Sequence, residues 1–528
     1  MRLFYRIFLV LVFQSAFINQ LSFSQTAPGI EWAKSLGGTQ NETAYSIVQT
    51  TDGGYAVVGY TYSNDGDVSG LHDSVGSIPD YWLVKLDSIG NLQYQSCFGG
   101  TDDDEAYSII NTFDGGYLVT GLAFSLDGDI INGLGFGDVW ILKFDSLFNI
   151  QWQKNLGGSN IDFANCMIQT LDSGYAIAAI SDSYDGNVTG NHGLMDYWIV
   201  KTDETGNIQN EQCYGGLCID WAASILQTLD GGYIVGGWTC STDGDVIGMN
   251  GMWDYWILKF DPMLNLQWQK CLGGTGDDES YSSSIIQTSD GGFVTVGYAF
   301  SNDINVSGNH GANDYWVVKL DSLGSIIWQK CLGGTSIEEC WSIFQTHDNG
   351  FILAGYSFST DGDVIANHGN ADYWIVKLNN IGDFQWQKCL GGTDDEKAHS
   401  IIQTSDYGYI IAGHSTSNDG DVSGNHGSAD YWIVKLAPDT ITGIIQHPYQ
   451  TSNIQISPNP FTDELIVISN QFGVKGEIRI FDVTGKEILR QNTFGEETKI
   501  NTGHLTAGFY FVKYAEENKI NNFKVVKL

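Results

Sequence analysis

The chain has 528 residues, 65 of them Gly and 7 Pro, with 13% aromatics, a composition for strands and turns rather than for disorder or a collagen-like helix. Its formal charge of −38 arises between residues 7 and 440, where 13 Lys, no Arg and 53 Asp or Glu sum to −40, offset only by Arg2 and Arg6. A nucleic-acid binder needs a basic footprint to displace counterions, so that class is excluded; metal cations, cationic surfaces and neutral polymers are the partners that fit.

The N-terminus reads as a signal peptide over residues 1–24. Arg2 and Arg6 form a positive region, Ile7 to Phe13 an apolar core, and Ser22 and Ser24 flank a cleavage site. Gln14, Asn19 and Gln20 break the apolar run well short of the roughly 18 residues a membrane span needs. No later stretch is apolar enough, so no transmembrane segment is expected in the mature chain.

Residues 30–438 are a repeat array. Gly-Gly pairs begin at Gly37, Gly99, Gly157, Gly215, Gly273, Gly333 and Gly391, spaced by 62, 58, 58, 58, 60 and 58 residues. Each unit has four strand signals: S-I-I-Q-T, then Y-I-V-x-G-Y/W after a D-G-G turn, then D-Y-W-I-V-K-L after a long polar loop, then I-Q-W-Q-K-C. The seventh unit stops after its third strand, at Lys435 and Leu436. The segment from Ile30 to Gly38 is a fourth strand without the first three. The N-terminal strand is therefore expected to complete the last blade of an all-β, seven-bladed propeller, which hides the edges an open array would expose.

Recurrence separates scaffold from function. Trp82, Trp140, Trp198, Trp256, Trp316, Trp374 and Trp432 recur on the third strand, and Trp32, Trp152, Trp268, Trp328 and Trp386 on the fourth. These 12 of 16 tryptophans are expected to pack between blades. The third-strand lysines, Lys85 to Lys435, are expected to pair with a carboxylate borne by the repeat. Of nine cysteines, Cys97, Cys213, Cys271, Cys331 and Cys389 share one repeat position and read as buried apolar residues; Cys213 with Cys218, or Cys331 with Cys340, could pair locally.

The connections between strands two and three and between strands four and one emerge on one face, which is expected to be acidic. The former carry Asp65 and Asp67, Asp127 and Asp129, Asp185 and Asn187, Asp243 and Asp245, Asp303 and Asn305, Asp361 and Asp363, and Asp419 and Asp421. Such D-G-D loops resemble Asp-rich calcium loops, in which short carboxylates and carbonyls wrap a hard cation, so Ca2+ is the cofactor to test for. The competing reading is that Asp and Gly make turns and cap backbone groups. His192, His310, His368 and His426, one per blade, do not suggest a shared transition-metal site. Blade 4 breaks the symmetry with Trp221, Met249, Met252 and Trp253. Trp221, Met252 and Trp253 are the candidate ligand-binding residues, an aromatic pair beside carboxylates that suits a saccharide ring or a protein anchor.

After a linker at 439–453 the character changes. Residues 454–528 balance nine Lys or Arg against nine Asp or Glu and read as a small Ig-like β-sandwich. The motifs Pro458-Asn459-Pro460, Asp482-Val483-Thr484-Gly485-Lys486, Gly508-Phe509-Tyr510 and Lys524-Val525-Val526 resemble the type A C-terminal sorting domains of the type IX (Por) secretion system of Bacteroidota. The resemblance implies Sec export, engagement of the type IX machinery, and release or attachment at the cell surface. The propeller repeats also look like those of such secreted cargo proteins.

No Ser-His-Asp order, phosphate loop or distinctive carboxylate pair stands out. The reading is a secreted or cell-surface binding or adhesion protein without a catalytic constellation, with a glycan or a surface protein as ligand. The alternative is a polysaccharide-active hydrolase or lyase on the acidic face, for which two suitably spaced carboxylates would be needed.

Overall fold

The computed structural model describes residues 26–73, 76–280 and 284–439, and in the C-terminal region 454–457, 464–469, 475–481, 486–494, 497–506, 508–516 and 519–527. The chain divides into two units, Met1–Thr442 and Gly443–Leu528. The expected signal peptide and residues 440–453 of the linker lie outside the described residues.

The first unit is built of antiparallel sheets, one per repeat. Blade 1 pairs Glu42–Gln49, Tyr55–Thr61, Asp80–Leu86 and Leu92–Phe98 in chain order, and blades 2, 3, 4 and 6 repeat it. In blade 5 the first strand is split into Asp278–Glu279 and Ile285–Gln287. Blade 7 has three strands of its own and takes Ile30–Leu36 as its fourth, with Leu36 opposite Tyr431 and Ala33 opposite Val434. The first strand of each blade touches the first strand of the next, and that of blade 7 touches that of blade 1. The array is a closed seven-bladed β-propeller, with the first strands innermost.

Third strands are buried along their whole length, which is why they read as continuous apolar runs. Their indoles are fully enclosed. Trp316 Nε1 donates to Gln329 Oε1 on the fourth strand at 2.8 Å. In six blades a tyrosine precedes this Trp and packs on the Trp of the following blade (blade 2 has Val139 there): the Tyr197 and Trp256 rings are 4.7 Å apart, and the Tyr197 hydroxyl donates to the Trp256 carbonyl at 2.9 Å. Burying one such side chain removes about 200 Å² from water, on the order of a few kcal/mol. The third-strand lysines meet the aspartate of the D-G-G turn, as expected; Lys259 Nζ lies 2.9 Å from Asp230 Oδ2, and the pair recurs in every blade.

Every blade boundary also buries two carboxyl groups. One opens the third strand of a blade (Asp80, for example) and the other opens the first strand of the next (Asp104). Both face the first glycine of the Gly-Gly pair, where a Cβ on Gly99 would come within 2.5 Å of Asp80 Oδ1 and 2.7 Å of Asp104 Oδ2. Only glycine leaves that room. Asp104 Oδ2 accepts a hydrogen bond from Gly100 N at 2.8 Å, whereas Oδ1 of all seven third-strand aspartates finds no hydrogen-bond partner. Burial, with the neighbouring carboxylate adding to it, pushes Asp104 up to about 7.

The cysteines depart from the expected pairing. Cys213 and Cys331 are buried thiols, and the disulfide joins Cys218 to Cys240. The connection entering blade 4 runs beside the end of its second strand, where Cys240 N donates to Ile219 O at 3.0 Å. That antiparallel alignment brings Cys218 against Cys240, while Cys213 points into the blade packing.

The C-terminal unit is a small β-sandwich. One sheet holds Ile454–Ser457, Glu464–Ser469 and Glu497–Asn501; the other holds Glu487–Phe494, Lys475–Phe481, Gly508–Glu516 and Lys519–Lys527. Leu465, Val467 and Ile500 from one sheet share a core with Ile478, Ile480, Tyr510 and Val512 from the other. Of the motif residues, Pro458, Asn459, Pro460, Asp482 and Gly485 lie outside the described residues. Lys486 is exposed; Gly508 opens a strand; Tyr510 is buried and donates its hydroxyl to Thr506 O at 2.8 Å.

Candidate functional site

The D-G-D loops are held by local hydrogen bonds. In each, the first aspartate accepts from the chain entering its own blade: Thr39 N donates to Asp65 Oδ1 at 2.8 Å and Thr39 Oγ1 to Asp65 Oδ2 at 2.9 Å, and Asp127, Asp361 and Asp419 repeat both bonds. Asp243 accepts from Leu217 N at 2.9 Å. The second aspartate faces the first glycine, with Gly99 N donating to Asp129 Oδ2 at 3.3 Å; Asp67, Asp245 and Asp363 do the same. The Asp421 amide donates to Gly391 O at 2.9 Å. Among the described residues no three His, Cys, Asp or Glu side chains converge as a metal set. The histidines serve the boundaries: His426 Nδ1 lies 2.7 Å from Asp430 Oδ2, and its Nε2 3.8 Å from Asp67 Oδ2 of blade 1.

The innermost strand carries what the repeat does not repeat. After its third residue each described first strand has a β-bulge, and the bulged residue is Tyr45, Tyr107, Asn165, Ala223, Trp341 or His399 in blades 1, 2, 3, 4, 6 and 7. A bulge leaves one residue out of the ladder and re-aims it, here on the innermost strand. In blade 5 residues 281–283 fall at this point and lie outside the described residues. The bulged side chains meet across blade boundaries. The Trp341 and His399 rings are 4.7 Å apart, His399 and Tyr45 4.9 Å, and Tyr45 and Tyr107 5.2 Å.

The arc continues two residues earlier on the first strands of blades 3 and 4. Tyr107 packs on Phe163 at 6.2 Å and Phe163 on Trp221 at 5.1 Å. Trp221 lies on the first strand of blade 4, not in the loop before it. It stacks on Trp238 across the sheet (5.7 Å, 6° between planes), and Trp238 stacks on Trp253 (5.4 Å, 29°). Trp253 is 37% exposed and Met252 67%. Asp278 N donates to Trp253 O at 2.8 Å, tying the ladder's outer end to blade 5.

The structure thus joins Trp221 and Trp253 through a residue that repeat counting did not single out. Trp221, Trp238, Trp253 and Trp341 are the four tryptophans outside the two repeated sets, and all four belong to this arc. That remainder, and the variable position inside the constant frame A-x-S-I, were the legible signals.

The arc is largely desolvated. Burial pushes the Tyr45 and Tyr107 hydroxyls well up and Glu105 up as well, and Tyr107 donates to Glu105 Oε2 at 2.7 Å. Burial, with His414 and Lys397 beside it, holds His399 well below the usual histidine range, so its imidazole is neutral. His399 Nδ1 and Trp238 Nε1 are buried without a hydrogen-bond partner. Aromatic faces with isolated, unpaired polar atoms are the makings of a site for a ligand that is apolar on its faces and polar at its edges.

Residues 455–527 match the family described as secretion system C-terminal sorting domain. No curated protein sequence matches the chain. Among solved structures it is similar to the extracellular domain of the putative hybrid two component system BT4673 from B. thetaiotaomicron (11% identity over 95% of this chain and 60% of that one, TM-score 0.41). It is also similar to a fungal alcohol oxidase (10%, 95% and 100%, TM-score 0.43) and to puromycin hydrolase (10%, 85% and 64%, TM-score 0.43).

Proposed function

From a chain that carries a type IX sorting domain and is therefore secreted to the cell surface or beyond, we propose that the propeller is a non-catalytic binding module for saccharide chains. The observation that carries this reading is the Trp221, Trp238 and Trp253 stack, which ends in a half-open indole on the acidic face. A pyranose lays its C–H face on an indole and offers hydroxyls at its edge, and Trp238 Nε1 is a donor that lacks an acceptor. Met252, next to Trp253 in the chain, is exposed and extends the apolar surface.

The test is a glycan array followed by titration calorimetry on the secreted protein. Trp253→Ala is expected to weaken the best glycan by about tenfold or more, the loss of a hot-spot aromatic. Retained affinity in Trp253→Ala and Trp221→Ala would remove the ladder from the site, and turnover of the bound glycan would refute the non-catalytic reading.

A further inference from the structure

Beyond the tryptophan ladder, the boundary between blades 1 and 2 holds a carboxylate among tyrosines. Glu105 is half-buried on the first strand of blade 2 and is hydrogen-bonded by Tyr107 at 2.7 Å. Tyr45 of blade 1 lies 5.2 Å from Tyr107 and 5.9 Å from Tyr60, which in turn meets Tyr62 edge-on at 5.6 Å. Besides burial, the charge of Glu105 pushes the hydroxyls of Tyr45, Tyr60, Tyr62 and Tyr107 upward. Among the described residues no Lys, Arg or His forms an ion pair with Glu105.

The molecule shows what belongs in such a cup. Glu105 is the second residue of the first strand of blade 2, and Lys397 is its counterpart in blade 7. Tyr60 is the sixth residue of the second strand of blade 1, and Tyr356 is its counterpart in blade 6. At the boundary between blades 6 and 7, Lys397 lays its Nζ over the Tyr356 ring, 4.6 Å from the centroid. There the chain supplies an ammonium to the ring of the preceding blade. Between blades 1 and 2 the same position carries a carboxylate, more tyrosines gather, and no ammonium is supplied from within.

We propose that the tyrosine cup around Glu105 binds an organic ammonium group of an external ligand. Aromatic faces attract such a cation through their quadrupoles, and a half-buried carboxylate makes the attraction stronger than rings alone. The acidic face concentrates cations before contact.

The test uses the full secreted chain in calorimetric titrations at constant ionic strength. The probes are tetramethylammonium and methylammonium chloride, with tert-butyl alcohol as the neutral match. Saturable binding of either ammonium, none of the alcohol, and at least about tenfold weaker binding by Glu105→Gln support the proposal. Whichever ammonium binds more tightly identifies a quaternary or a primary amine as the source. Glu105→Lys, which copies blade 7, is expected to fill the cup from within and abolish binding. Neither ammonium binding, equal binding of the alcohol, or unchanged affinity in Glu105→Gln overturns it. Trp253→Ala is expected to leave ammonium binding intact, so a failure of the saccharide reading and a failure of this one are seen separately.

Discussion

The hydroxyl of Tyr431, in the last blade, donates to the carbonyl oxygen of Trp82, in the first, at 3.0 Å. The same bond links successive blades elsewhere, as from Tyr315 to Trp374 at 2.8 Å. The seam where the chain closes is thus bonded like five of the other six boundaries; between blades 2 and 3, Val139 stands in the tyrosine's place.

Equal seams imply equal costs. Tyr431→Phe and Tyr315→Phe are each expected to destabilise the propeller by about 1 kcal/mol, because each removes one buried hydrogen bond between blades. Urea denaturation measures both. A Tyr431→Phe effect near zero beside a normal Tyr315→Phe effect would mean that the ring is open at this seam in solution.

Stability is expected to rise on mild acidification. Burial first, then neighbouring carboxylates, holds Asp104 at about 7 and Asp162, Asp220, Asp254 and Asp314 at about 6. A raised folded pKa means that the folded state takes up the proton first. The stability this contributes is complete below the unfolded value of about 3.9 and is lost as pH rises through 6 to 7. The turn aspartates act the other way: burial raises them, but hydrogen bonds from the adjacent threonine, glycine and lysine prevail and hold Asp52, Asp114, Asp230 and Asp290 at about 2. Being largely exposed, they count for less, and their share is lost below pH about 4. The Tm is therefore expected to be higher at pH 5.5 than at pH 7.5. A flat or falling Tm between those values would contradict the paired-carboxyl account.

Reduction should weaken blade 4 selectively. The Cys218–Cys240 bridge spans 22 residues, and closing a loop of that size stabilises by about 3 kcal/mol in the chain-entropy account. Replacing both cysteines with serine is expected to lower the Tm and to increase amide exchange in residues 217–253 first. Mass spectrometry after alkylation in denaturant should find seven thiols and one disulfide.

Chelation is expected to leave the Tm unchanged. The D-G-D loops are fastened by backbone and hydroxyl donors, as Thr335 N and Oγ1 fasten Asp361. A drop of several degrees in EDTA, restored by Ca2+, would show that carbonyls and carboxylates of a loop gather around an ion after all.

The ring was readable because it is periodic: the missing fourth strand after Leu436 and the orphan strand at Trp32 specify the closure, and the third-strand Trp and Lys declare themselves scaffold by recurring. The site was half readable. Trp221 and Trp253 stood out as departures, but Trp238 occupies a position that is aromatic in several blades and so passed as part of the pattern. The rim of bulged residues was hidden for a different reason. A bulge is a property of pairing, and one sequence shows the strand without its partner, so Tyr45, Trp341 and His399 read as ordinary strand residues. The Cys218–Cys240 bridge was missed because two strand ends that lie side by side are 22 residues apart in the chain.

The bulge divides the work of the repeat. Its residue makes no ladder bonds, so exchanging tyrosine for asparagine, alanine, tryptophan or histidine there leaves the pleat and the register of the blade unaltered. Each blade therefore offers one address that can be rewritten by a single substitution while the rest of its text is kept. A rim of such addresses lets one frame be re-lettered for new ligands without being refolded.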